Sequence, residues 1–165
     1  MNTKNYSRHL FGAVFCAVCF LVATGTSVFA QTSGQTLPFH AEELSITTDG
    51  NIWAWNVVSS GKATHLGKTS GSSFNRIVGG YKNPDGSWFL FGISFATSVA
   101  ANGDELYMTT KWTLDTGDPE DVVYGNWFIT GGTGRFENAT GEGTTVGRSA
   151  GEDSRFFITD GEINY

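Results

Sequence analysis

Turn signals recur along this chain about every ten residues, and the segments between them are built from strand-forming residues. Asp49-Gly50, Asn83-Pro84-Asp85-Gly86 and Asn102-Gly103 are the clearest. Proline second and glycine fourth suit a type I turn. Asn-Gly is the strongest signal for a two-residue hairpin. Residues 115–121, with Gly117 and Pro119, form an acidic loop, and 150–153 make another break. The intervening runs are rich in Trp, Phe, Tyr, Val, Ile and Thr, which favour strands. They predict eight strands, at 39–48, 51–60, 62–69, 73–82, 87–100, 104–114, 121–130 and 153–164, with an optional short ninth at 143–149. No stretch shows a 3.6-residue apolar period, and no repeat occurs. Such a cadence predicts an all-β antiparallel sandwich or barrel.

Alternation suggests which faces are buried. Phe89, Phe91, Ile93, Phe95 and Val99 share one face of the fifth predicted strand, and Gly92, Ser94, Ala96 and Ser98 share the other. Leu106, Met108, Trp112 and Leu114 line one face of the next. A two-residue turn at Asn102-Gly103 would bring the two apolar faces together around a single core. The small residues behind them would then face a narrower space or another subunit, so a homo-oligomer is among the expectations.

The first thirty residues have the pattern of a signal peptide. Lys4 and Arg8 precede an apolar run from Leu10 to Ala23, and Val28-Phe29-Ala30 offers small residues at −3 and −1. The run is short for a membrane span, which needs about 20 residues, and no later stretch approaches that length. The expected product, 31–165, is one secreted or periplasmic domain. Both cysteines, Cys16 and Cys19, lie in the leader, so the domain cannot use disulfides, thiol catalysis or thiolate metal sites. It carries 8 basic against 16 acidic residues, the basic ones scattered singly. Nucleic acid and anionic membrane surfaces demand clustered Lys and Arg, which excludes both as partners.

Three segments carry a family resemblance: Gly61-Lys62-Ala63-Thr64-His65-Leu66-Gly67, Ala101-Asn102-Gly103-Asp104-Glu105-Leu106, and the thirteen residues from Ile129 to Gly141, which include Gly131-Gly132-Thr133-Gly134-Arg135-Phe136. Together they resemble the exported bacterial proteins of the allene oxide cyclase barrel-like group, relatives of plant allene oxide cyclase and dirigent proteins. The resemblance implies an eight-stranded antiparallel calycin-like β-barrel, trimeric in many plant relatives, whose lumen is closed at one end and holds an apolar small molecule. It also implies cofactor-free chemistry. Plant allene oxide cyclase steers a reactive epoxide with help from a lumen glutamate and water, dirigent proteins guide phenolic coupling, and bacterial cyclases close spiro rings by cycloaddition. Glu42 or Glu43 is the positional counterpart of the glutamate, and Glu43 is the candidate catalytic carboxylate. His65, inside a matching segment, is the second catalytic candidate.

The remaining motifs have bland readings. Gly131 to Glu137 imitates a dinucleotide fingerprint, but Glu137 replaces the last glycine and no helix pattern follows. Gly67-Lys68-Thr69 lacks the glycine a phosphate loop needs five positions earlier. The acidic loop lacks EF-hand spacing, and two distant histidines do not make a zinc site, so no metal or cofactor is expected. Phe136 suits a plug for the barrel end, with Arg135 bonding loop carbonyls or a ligand. Trp53, Trp55, Tyr107, Trp112, Trp127 and Arg135 are the candidate ligand-binding residues, because indole and phenol groups combine flat apolar area with a hydrogen-bonding tip. Three functions remain open: a carrier of a small hydrophobic molecule, a cofactor-free cyclase or isomerase, and a structural envelope protein whose barrel is filled by its own side chains.

Overall fold

The computed structural model describes residues 35–165, so the expected leader lies outside the described residues. The fold is all-β. Its strands are β1 (Leu37–Gly50), β2 (Ala54–Ala63), β3 (Gly67–Lys82), β4 (Trp88–Val99), β5 (Glu105–Asp115), β6 (Val123–Gly132), β7 (Thr140–Gly151) and β8 (Ser154–Asn164). A 3-10 turn at Gly134–Phe136 precedes β7. Each strand pairs antiparallel with the next, and β1 pairs with β8, closing an eight-stranded calycin-like barrel in sequence order. Closure leaves no free sheet edge.

The strand count matches the expectation, but by a different division. The predicted strands 62–69 and 73–82 are not separate: β2 runs on to Ala63, and β3 is continuous from Gly67 to Lys82 through Thr69-Ser70-Gly71-Ser72-Ser73. The optional ninth strand is β7. Small residues between 69 and 73 carry no strand signal of their own. The ladders to β2 and β4 on either side hold them extended.

The turn between β4 and β5 decides which side chains point inward. The expected two-residue Asn102-Gly103 turn does not form. Gly103 donates its N–H to Ala100 O (2.9 Å), Ala100 donates to Asp104 O (2.8 Å), and Gly103 takes φ +90° as an extra left-handed residue. That added residue shifts the pairing by one, so Phe95 lies opposite Thr109 and Ala96 opposite Met108. A one-residue slip transfers every side chain to the other face. The two apolar faces therefore do not meet. Gly92, Ser94, Ala96 and Ser98 share the interior with Leu106, Met108, Trp112 and Leu114, while Phe91 and Phe95 stand on the outside, 40% and 52% exposed.

The core sits at one end of the barrel. Phe39, Ala41, Ala63, Leu66, Ala100, Leu106, Trp127, Phe136, Ala139 and Ile163 form one buried cluster where β1 begins and β8 ends. Phe136 is fully buried there and plugs that end. The opposite end, at 47–53, 121 and 149–155, opens into a cavity.

Candidate functional site

The cavity inside the barrel has a volume of about 870 Å³, so its own side chains do not fill it. Glycines in the wall keep it open. Trp112 lies flat against Gly92, its neighbour across β4 and β5, and a Cβ there would overlap the indole ring. Trp127 lies over Gly143 and Gly161, where added Cβ atoms would come within 2.8 and 2.7 Å of its ring. Phe157 covers Gly147 in the same way. Three large rings thus take up wall space instead of bore space.

The lining is mixed. Trp55 packs against Trp112 with ring centroids 5.8 Å apart, and Trp127 against Phe39 at 5.2 Å. Trp127 Nε1 donates to the carbonyls of Thr144 (3.1 Å) and Asp160 (3.3 Å), which holds its ring across the floor. Between the rings run hydroxyl and amide networks. Ser94 donates to Asn75 Oδ1 (2.5 Å), Asn75 Nδ2 to Ser73 Oγ (3.1 Å), and Thr145 and Thr159 share a bond of 2.8 Å. Trp112 Nε1 alone among buried side-chain polar atoms of the described residues has no hydrogen-bond partner.

Glu43 is the carboxyl of the bore. It points inward from β1, level with Gly61 and Phe157, and accepts a hydrogen bond from Thr69 Oγ1 at 3.1 Å. Burial among these groups pushes its pKa up, because the charged form loses water, and the Thr69 bond only partly offsets this. A carboxyl so placed can be held protonated, donate a hydrogen bond to a carbonyl or ether oxygen, or move a proton.

The mouth carries a different chemistry. Asp49, Glu152 and Asp153 ring it, and Arg155 reaches across to the loop between β5 and β6. Its guanidinium donates to Asp121 O (2.7 Å) and Asp121 Oδ2 (2.6 Å), while Arg148 bonds Glu120 at 2.6 Å on the same loop. Asp121 holds a left-handed φ of +49°.

Of the candidate residues, Glu43, Trp55, Trp112 and Trp127 come together in the bore. Four others do not. His65 sits in the β2–β3 turn at the plugged end with φ +66°, its Nε2 2.9 Å from Pro38 O and its ring edge-on to Tyr165. Arg135 donates to His65 O, pairs loosely with Asp104 (3.8 Å) and covers the Phe136 ring at 4.7 Å. It braces the plug from outside by bonding a loop carbonyl. Tyr107 faces outward, donating to Glu105 Oε2 at 2.6 Å. Trp53 is 63% exposed in the β1–β2 turn. Thr69, the Asn75–Ser94 pair and the Arg155–Asp121 clasp went unnoticed in the sequence. Counting alternate positions from Glu43 and its cross-strand partners would have found the first.

No protein-family model matches this chain, and neither a curated protein nor a solved structure matches it. The site stands on its geometry alone. Among the described residues no group of three or more His, Cys, Asp or Glu side chains is gathered to hold a metal ion, and no helix is long and apolar enough to cross a membrane.

Proposed function

We propose that this barrel binds a small amphipathic molecule in its bore, one with a flat apolar body and a hydrogen-bonding group directed at Glu43. The observation that carries this reading is the cavity itself, about 870 Å³, open at one end and lined by Trp55, Trp112, Trp127 and Phe157. Ligand sites of roughly 300–1,000 Å³ with aromatic walls and few polar groups are the common type. The serine and threonine hydroxyls make the lining more polar than a carrier of a purely hydrophobic molecule requires. Kinship to the allene oxide cyclase barrel-like group and export directed by the first thirty residues belong to the same proposal.

A second reading, a cofactor-free cyclase or isomerase, draws on the Glu43 carboxyl. A bore that restricts the conformations of a reactive substrate, with one proton donor in its wall, supplies what such a rearrangement needs. Native mass spectrometry of the protein from its own host tests the common premise. A co-purifying mass is expected, lost in Ala96→Trp, which fills the bore. An empty wild-type protein indistinguishable from Ala96→Trp would remove both readings.

A further inference from the structure

The lining of the bore is one-sided in charge. Five carboxylates border it: Glu43 in the wall, and Asp49, Asp121, Glu152 and Asp153 toward the mouth. Arg155 is the one basic side chain on that lining, and it is bound to Asp121 at 2.6 Å. No ion pair among the described residues includes Glu43, Asp49, Glu152 or Asp153. Asp49 accepts a hydrogen bond from the Asn56 amide at 2.6 Å, and Glu43 accepts one from the Thr69 hydroxyl at 3.1 Å.

A buried carboxylate is costly unless a cation or several hydrogen bonds compensate it. The wall of this bore gives Glu43 one hydroxyl and no cation. The aromatic lining points the same way. Phe157 is the direct neighbour of Glu43 across β1 and β8, and the Trp127 ring lies over Gly161, nearer the plugged end. Trp55 and Trp112 pack against each other on the same lining. Aromatic faces attract cations, tryptophan most strongly. Carboxylates gathered at the mouth of a cleft concentrate cations and repel anions. Among the described residues no group of three or more His, Cys, Asp or Glu side chains is gathered to seat a metal ion, whereas about 870 Å³ has room for an organic body.

We infer that the guest of the bore is an organic cation, an amine protonated at neutral pH, whose ammonium N–H donates to Glu43 and whose apolar body lies along the tryptophans. This rests on the reading that the bore holds a small amphipathic molecule, and it fixes that molecule's charge. A carboxylate guest would meet like charges at the mouth and in the wall, with the Arg155 guanidinium held by Asp121.

Isothermal titration calorimetry of the whole protein tests it with three probes that share one apolar body: phenylbutylamine, phenylbutanol and phenylbutyrate. The wild type is expected to bind the amine about tenfold or more tighter than the alcohol, the scale of a hydrogen bond to a charged group, and the carboxylate most weakly. Glu43→Gln, checked for folding by near-ultraviolet circular dichroism, is expected to remove the amine's advantage over the alcohol. A wild type that binds the alcohol or the carboxylate as tightly as the amine overturns the inference and leaves the bore reading standing. An amine advantage that survives in folded Glu43→Gln does the same. Binding of none of the three by the wild type would remove the bore reading and the inference with it.

Discussion

Trp112 lies against Gly92 so closely that the glycine has no room for a side chain, and this contact sets both the wall and the width of the bore. A Cβ at Gly92 would also come 2.5 Å from Arg76 O, so the backbone cannot simply slide aside. Gly92→Val is expected to lower stability by about 1–3 kcal/mol through overpacking. Combined with Trp112→Leu, part of that loss should return. Urea unfolding of the four proteins in a double-mutant cycle measures the coupling. Additive losses would show that the two residues do not share one space.

Glu43 makes stability depend on pH in a definite direction. Burial raises its pKa above the ordinary value of 4.5, so the folded protein binds its proton more tightly than the unfolded chain does. Stability from this group is therefore full below the unfolded pKa and declines as pH rises through the folded one. Glu43→Gln should abolish that decline. Urea midpoints from pH 4 upward compare the two, and parallel curves would mean that Glu43 is not desolvated.

The plug is the largest fully buried side chain at the closed end. Phe136 is fully buried and packs edge-on against Tyr165 at 5.1 Å. Phe136→Ala is expected to cost about 3–5 kcal/mol, the range for emptying a large aromatic site. Thermal unfolding reads the loss, and a change below about 1 kcal/mol would place the plug elsewhere.

At the mouth the expectation is local. Arg155 and Asp121 are partly exposed, 28% and 45%, so their charge pair adds at most about 1 kcal/mol to global stability. Arg155→Gln should leave the unfolding midpoint almost unchanged but speed amide exchange across 116–122, where Val122, next in sequence to Asp121, is buried. Unchanged exchange there would mean that the loop is held by other contacts.

The barrel class was legible because turn chemistry and strand composition are local properties. Asn83 to Gly86 turns as its residues require, with Gly86 N–H donating to Asn83 O at 3.0 Å. Which side chains face inward was not legible, since it rests on the conformation of Gly103, and a single dipeptide signal does not distinguish a two-residue loop from a loop with one residue more. The same difficulty explains the mixed outcome for the site. Glu43 and three tryptophans reach the bore by strand parity. His65 and Arg135 belong to turns at the plugged end, where glycine-rich segments close the barrel, and Tyr107 falls on the outward parity of β5.

The corner at Gly103 gives the molecule an unusual evolutionary lever. Shortening that loop by a residue would favour the pairing that turns Phe91 and Phe95 toward the axis, a packed, greasy interior with a polar skin in place of a roomy hydroxylated vessel. A change in chain length of one, far from any residue that would touch a guest, would set that turn against the ladder joining β4 to β3, and the winner would settle whether the barrel is a container or a solid.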